Sequence, residues 1–192
     1  MTTELNLTSP MPESVNHYLG WRSVFNPKTK KYMCMSYETA DTKAYKKKFS
    51  EYVKQQVKLQ EWDIPVNKTQ HFYVDSIVYF PRIDMDSNNY WKLILDTITD
   101  TKTIWEDDNV VCERCLAIRY DSKNPRIELR IYKTDYIGIF DNRAQLDEFE
   151  TNCIHCSRYK EGKCSIYKKS VEGRIQEEIT LNVCGKYKEV NK

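Results

Sequence analysis

A chain of 192 residues and 22.9 kDa is enough for about one domain with a small appendage. Its 30 basic side chains against 28 acidic ones leave a net charge of +2, so overall charge gives no argument for a nucleic-acid partner, and any such argument must come from where the charges sit. Five glycines and three histidines, with no GxGxxG, Walker-type or HExxH spacing, argue against phosphate-cradling loops and helical two-histidine zinc sites, while the longest apolar run, Ile77 to Phe80, falls far short of the ~18 to 20 residues of a membrane span.

The first twenty residues, MTTELNLTSPMPESVNHYLG, lack the basic start and apolar stretch of an export signal. A cytoplasmic location is the expectation, with the seven cysteines kept as thiols or metal ligands rather than disulfides. A first strand is read near Leu5 to Thr8, then a turn-rich, meandering loop to Tyr37 containing Pro10, Pro12 and Pro27, in which Cys34 reads as a buried small hydrophobe. From Thr39 to about Trp62, Tyr45, Phe49, Tyr52 or Val53, and Val57 recur at helical spacing with no Gly or Pro before Pro65. Between Lys43 and Lys58 six lysines surround a single acid, Glu51. Such a run is ordinarily a solvated helix face.

His71 to Phe80 alternates as a strand, with Phe72, Val74, Val78 and Phe80 on one side and Asp75 on the polar side. A second helix is predicted near Asn88 to Thr99, on the stripe Trp91, Ile94 or Leu95, and Ile98. Two strands, Val110 to Tyr120 and Arg126 to Tyr132, flank the turn Asp121 to Pro125. The order of elements predicts an α+β domain, one small mixed sheet packed by two helices. Composition shifts after about Asp135. A short acidic helix is predicted at Asn142 to Glu150, and the reading divides the chain into a domain at 1–140 and a cysteine-rich extension at 141–192.

Two features carry chemistry. Between Asp84 and Asp108 stand Asp84, Asp86, Asp96, Asp100, Glu106, Asp107 and Asp108, opposed by Lys92 and Lys102 alone. If extended geometry persists after the strand, Asp84 and Asp86 point to one side, and the next strand end brings Glu106, Asp107 and Asp108. Two like charges at ~4 Å in an effective dielectric of 20 repel by about 4 kcal/mol, so gathered carboxylates imply a cation or a proton. Oxygen ligands of this kind select Mg²⁺ or Mn²⁺. The alternative is that these acids merely cap helices and turns. The second feature is Cys153-Ile-His-Cys156 followed by Cys164 and Cys184. This spacing suits a structural zinc, with His155 as a possible substitute ligand; an iron–sulfur cluster and unligated thiols are the other readings. Cys112 and Cys115 share the C-x₂-C spacing, but three residues apart on a strand they face opposite sides.

The acidic segment, Asp84-Met-Asp86-Ser-Asn88-Asn89-Tyr-Trp-Lys92-Leu-Ile-Leu-Asp96 and then Trp105-Glu-Asp107-Asp108-Asn-Val-Val111, together with Pro12-Glu-Ser14-Val-Asn16-His-Tyr18, resembles the RusA family of Holliday-junction resolvases. The likeness runs from about Leu5 to Lys133. It implies a dimeric, magnesium-dependent endodeoxyribonuclease of recombination and repair, often carried by phages, that hydrolyses branched DNA such as a four-way junction. By the same resemblance Asp84, Asp86 and Asp108 are the catalytic carboxylates and Mg²⁺ ligands, Asp107 is a helper, and Lys92 offsets charge on the transition state. Lys46, Lys47, Lys48 and Lys54 become candidate DNA contacts. A gapless alignment places the family's two aspartates on Asp86 and Asn88, and a neutral Asn88 keeps a different class open: a non-catalytic DNA-binding or regulatory module with a zinc-stabilised tail.

Overall fold

The structure is a computed structural model that describes residues 3–63, 69–174 and 177–190. By contacts the chain forms two units: Met1–Val66 with Tyr73–Tyr132, and Asn67–Phe72 with Lys133–Lys192. No helix among the described residues is long and apolar enough to cross a membrane.

The first unit is built on a four-stranded sheet in the order β1-β6-β4-β5. Strand β1 (Glu4–Pro10) alternates exposed and buried residues and pairs antiparallel with β6 (Arg126–Ile137). Next to β6 lies β4 (Gln70–Phe80); Arg126 stacks over Tyr79 while Arg130 reaches Asp75, so these two also run in opposite senses. On the other side of β4 is β5 (Val111–Tyr120). The Asp121 N–H donates to Phe80 O at 2.8 Å, joining the C-terminal ends of β4 and β5, which are therefore parallel and need a crossover. Helix α2 (Trp91–Thr101) supplies it. The expected α+β class and mixed sheet are present.

The predicted first helix is α1 (Ala40–Leu59). Thr39 caps it by accepting from the Thr42 N–H at 3.1 Å, and Glu13 accepts from both threonine hydroxyls, which satisfies donors left open at a helix start. Phe49, Val53 and Val57 are buried as their spacing requires. Pro65, read as the stop, lies outside the described residues.

Three expectations are corrected. Residues 19–38 are not a meandering loop but a hairpin, β2 (Leu19–Asn26) and β3 (Lys31–Glu38). Both of its faces are open to solvent, so no alternation marks the strands. For the same reason Cys34 is exposed, not buried. The segments flanking 121–125 are strands, as expected, with β4 lying between them: the crossover delivers β5 to the far side of β4, and the five-residue turn then has to pass the end of that strand.

The third correction is Asp75, read as a polar-side residue of its strand, yet 3% exposed. Its carboxylate accepts from Arg114 Nε at 2.7 Å, Arg130 Nη2 at 3.0 Å and the Tyr132 hydroxyl at 3.0 Å, while the Arg114 guanidinium lies over the Tyr73 ring at 3.9 Å. Burial alone would raise the carboxyl, but hydrogen bonds from Arg130, Arg114 and Tyr132 hold it below its ordinary value. The charge is buried because neighbouring strands bring its partners to it.

In the second unit, α3 (Arg143–Cys153) is capped by Asn142, which accepts from the Gln145 N–H at 2.9 Å. Its apolar side joins Phe140, Leu146, Phe149 and Cys153 in a small core, against which Tyr159 and Tyr167 pack. Gly138 has φ +58° and a side chain there would strike the Ser170 carbonyl at 2.1 Å, so this position needs glycine. A short helix α4 (Ser165–Val171) and a two-residue hairpin, β7 (Ile179–Thr180) with β8 (Val183–Cys184), complete the unit.

Replacing Asp75 by Asn leaves two arginines without their buried partner. The expected loss is about 2–4 kcal/mol of unfolding free energy in urea, toward the low end for a buried pair because both arginines reach solvent. A carboxyl held below its unfolded pKa contributes stability above that unfolded value, and the contribution fades as pH falls through the folded one. The wild type should therefore lose stability more steeply than Asp75→Asn on acidification below about pH 4. Equal acid sensitivity would show that the network contributes nothing.

Candidate active site

The acid-bearing segment is held in place at both ends of α2. Strand β4 ends at Phe80 and the chain bends through residues 81–84, so Asp84 and Asp86 do not continue the strand and do not share a partner. Asp84 is exposed and paired with Arg82 Nε at 2.9 Å. Asp86 is extended and caps a 3₁₀ turn at Ser87–Asn89, accepting from the Asn88 N–H at 3.0 Å. That turn leads into α2, and its Asn89 carbonyl accepts from the Val15 N–H at 2.8 Å, so the Pro12 to Tyr18 stretch meets the acidic segment directly.

In the first turn of α2, Lys92 Nζ donates to Asp96 Oδ1 at 3.1 Å across an i,i+4 pair. Its ammonium is raised above the ordinary lysine value by the Asp96 hydrogen bond, with smaller contributions from Asp96, Tyr18 and Asp108 charges. After α2, Lys102 in the left-handed conformation ends the helix, and Asp107 caps a second 3₁₀ turn at Asp108–Val110 by accepting from the Asn109 N–H at 3.1 Å. Asp108 is half-buried. Its carboxyl is raised, first by desolvation, then by the charges of Asp96 and Asp107 and by a hydrogen bond that the protonated Asp108 donates to Asp107, against the pull of Lys92.

The structure thus brings together Asp108, Asp107, Asp96 and Lys92, and leaves Asp84 and Asp86 on the approach to the helix with local partners of their own. Among the described residues, no three acidic, histidine or cysteine side chains stand close enough to hold an ion as they are. The donor set fits one nonetheless: hard carboxylate oxygens whose mutual repulsion already raises Asp108 suit a divalent cation such as Mg²⁺ or Mn²⁺. Asp96 is named by the sequence in the acidic group and in the motif, but without a role of its own. Its signal was its place four residues after Lys92, one turn along the same helix face.

The predicted DNA-facing lysines divide. Lys46 is tied to Glu38 at 2.8 Å and Asp100 at 3.3 Å, and although burial works against its charge, these two acids raise its pKa. Lys47, Lys48 and Lys54 are exposed along α1. A surface missed in the sequence lies on the β2–β3 hairpin, where Trp21 is 67% and Tyr32 75% exposed and Phe25 meets Tyr32 edge-on at 5.3 Å. Arg22, Lys28, Lys30 and Lys31 are interleaved with these rings, the pattern by which it was detectable.

In the second unit, Cys153, Cys156, Cys164 and Cys184 line one cavity. Burial pushes the Cys153 thiol up to about 12, with further pressure from Cys164, Cys184 and Cys156. Burial acts the same way on Cys156, but backbone N–H donors of Lys188, Arg158 and Tyr159 outweigh it and hold that thiol below its ordinary value. The expectation of a single zinc finds no preformed four-ligand site among the described residues.

A family model described as endodeoxyribonuclease RusA matches residues 22–132. No curated protein matches the chain. The chain belongs to the RusA family, whose members are endonucleases of Holliday junctions and generally depend on a divalent metal.

Relief of the repulsion around Asp108 is measurable without substrate. In chelator, Asp108→Asn should melt about 2–4 °C above wild type, corresponding to ~1 kcal/mol in a chain of this size. Added Mn²⁺ should raise the melting temperature of wild type and not of the variant. A variant that melts lower in chelator would make Asp108 a structural residue instead.

Proposed function

We propose that this chain is a Mg²⁺-dependent endonuclease that resolves four-way and related branched DNA by phosphodiester hydrolysis. The carrying observation is Asp108, a half-buried carboxylate pressed by Asp96 and Asp107 and faced by Lys92, in a chain of this family. Asp108 and Asp86 would hold the ion, with Asp84 and Asp107 in support. When bound, a divalent ion supplies Lewis-acid polarisation of the scissile phosphate and lowers the pKa of water.

The chain's own residues do the rest. Lys92, held against Asp96 at 3.1 Å, presents a fixed positive charge to the non-bridging oxygens as negative charge grows on them. Asp96 positions that ammonium. Asp84, Asp86 and Asp107 are exposed, so the site lies open to a long polyanion rather than closed round a small molecule. Lys47, Lys48 and Lys54 neutralise flanking phosphates, and the hairpin rings Trp21, Phe25 and Tyr32 offer stacking faces for bases unpaired at a branch. A junction with two-fold symmetry needs two cuts, which a homodimer with one site per protomer provides. The unit of Met1–Val66 with Tyr73–Tyr132 would be the nuclease domain and the unit ending in Lys133–Lys192 an extension, a division that falls before the 1–140 and 141–192 expected from composition. The extension's thiols take no part in the chemistry, since thiolates select softer metals than magnesium.

Labelled four-way junctions incubated with and without Mg²⁺ test the reading. Asp86→Asn and Asp108→Asn should each lower cleavage by about a thousandfold, ~4 kcal/mol of barrier, with junction affinity kept within about threefold of wild type as is usual where only transition-state stabilisation is lost. Binding without cutting in any metal would favour the non-catalytic module that Asn88 leaves open. Separately, the double variant Lys47→Glu/Lys48→Glu should reduce the slope of log affinity against log salt by about 2, since each phosphate no longer neutralised lowers it by roughly 0.9; an unchanged slope would return α1 to a solvated face.

A further inference from the structure

The C-terminal unit has a feature that DNA hydrolysis does not use. Four of the seven cysteines, spread along this unit, line one cavity of about 320 Å³, and each is delivered by a different local device. Cys153 closes α3 beside Phe149 in the small core. Cys156 sits where residues 155–157 run against 188–190: Ser157 N–H donates to Lys188 O at 2.7 Å and Val190 N–H to His155 O at 3.1 Å. The Sγ of Cys156 itself accepts from the Lys188 N–H at 3.4 Å. Cys164 is the residue before α4. Cys184 lies on β8, presented by a tight turn whose two central residues, Leu181 and Asn182, have φ of 49° and 61°.

Packing does not explain this convergence. A thiol gains from burial wherever it is buried, and the strands that bring Cys184 in are two residues long. A unit with so small an apolar core is short of stabilisation unless something staples it. All seven cysteines are free, so the staple is not a disulfide. A backbone N–H aimed at sulfur is the kind of outer-shell bond that orients and tunes a metal-bound thiolate.

We propose that Cys153, Cys156, Cys164 and Cys184 form a tetrathiolate centre for an iron–sulfur cluster that holds the C-terminal unit together. Four thiolates select thiophilic metals, zinc or iron–sulfur. A zinc ion bonded at ~2.3 Å to each sulfur would draw them to within ~3.8 Å of one another and fill the space between. The cavity that the four cysteines line holds about 320 Å³, roughly ten times the ~30 Å³ share of one water molecule, and that is more room than a single ion needs. A cluster carries its own inorganic sulfide, so the four cysteines stand further apart around a larger volume.

The test uses the full chain, purified without oxygen from cells supplied with both iron and zinc, and assayed for iron, acid-labile sulfide and zinc. The expected result is iron and sulfide in equal amounts, with visible absorption that reduction bleaches. Cys164→Ser should lose most of the iron, while Cys34→Ser and Cys115→Ser, both at exposed thiols of the first unit, keep it. One zinc per chain without sulfide would overturn the cluster. Wild-type protein with neither metal, equally resistant to heat with and without chelator, would overturn the thiolate centre altogether. Metal content is read without DNA, so this outcome and that of junction cleavage fail independently.

Discussion

A single buried carboxylate registers the sheet on which the acid site is hung. Asp75 lies on an interior strand and is bonded on one side to Arg114 of β5 and on the other to Arg130 and Tyr132 of β6. A charge taken out of water is tolerated only while those partners stay in place, so sliding either neighbour by one residue would turn its arginine to the other face and leave the charge unpaired. The three strands are thereby locked in relation to each other. The acidic segment leaves from the end of β4 and re-enters the sheet at the start of β5, so the same lock fixes both ends of the loop–helix–loop that carries the candidate active site.

Within that frame α2 sets the chemistry. It is the crossover that a parallel β4–β5 pair requires, and its buried residues Leu93, Ile94, Leu95 and Ile98 hold it down while Lys92 and Asp96 remain on the other face. The 3₁₀ turn after it then returns Asp107 and Asp108 to that face. Like charges are concentrated where they raise Asp108 instead of being spread out, a destabilising arrangement of the kind found at sites that bind a cation or a developing charge. Capping explains part of the pattern, since Asp86 and Asp107 each satisfy a backbone N–H. It does not explain Asp96 or Asp108.

The elements with a strong internal period were readable in advance. Helix α1, from Thr39 through the Phe49, Val53 and Val57 stripe, and strand β4, with Phe72, Val74, Val78 and Phe80 buried, each bury one repeating face, which local spacing records. The β2–β3 hairpin was not readable, because Trp21, Tyr32 and Met35 lie exposed and no face is selected. The acids were recognised as a group from their density and from the order of the motifs. Which of them stand together was decided by the bends after Phe80 and by α2: Asp96 and Asp107 press on Asp108, while Asp84 and Asp86 each keep a local partner.

Periodicity, caps and motif order are local properties, written in residues a few positions apart, and they were enough for the α+β class, the two helices against the sheet and the family. Strand order, the burial of Asp75, and the meeting of Cys153 with Cys184 depend on residues brought together from distant positions. Such pairings are selected by the free energy of the whole packed unit, in which a charge finds its partners or four sulfurs their common cavity, and no short stretch of chain contains that information.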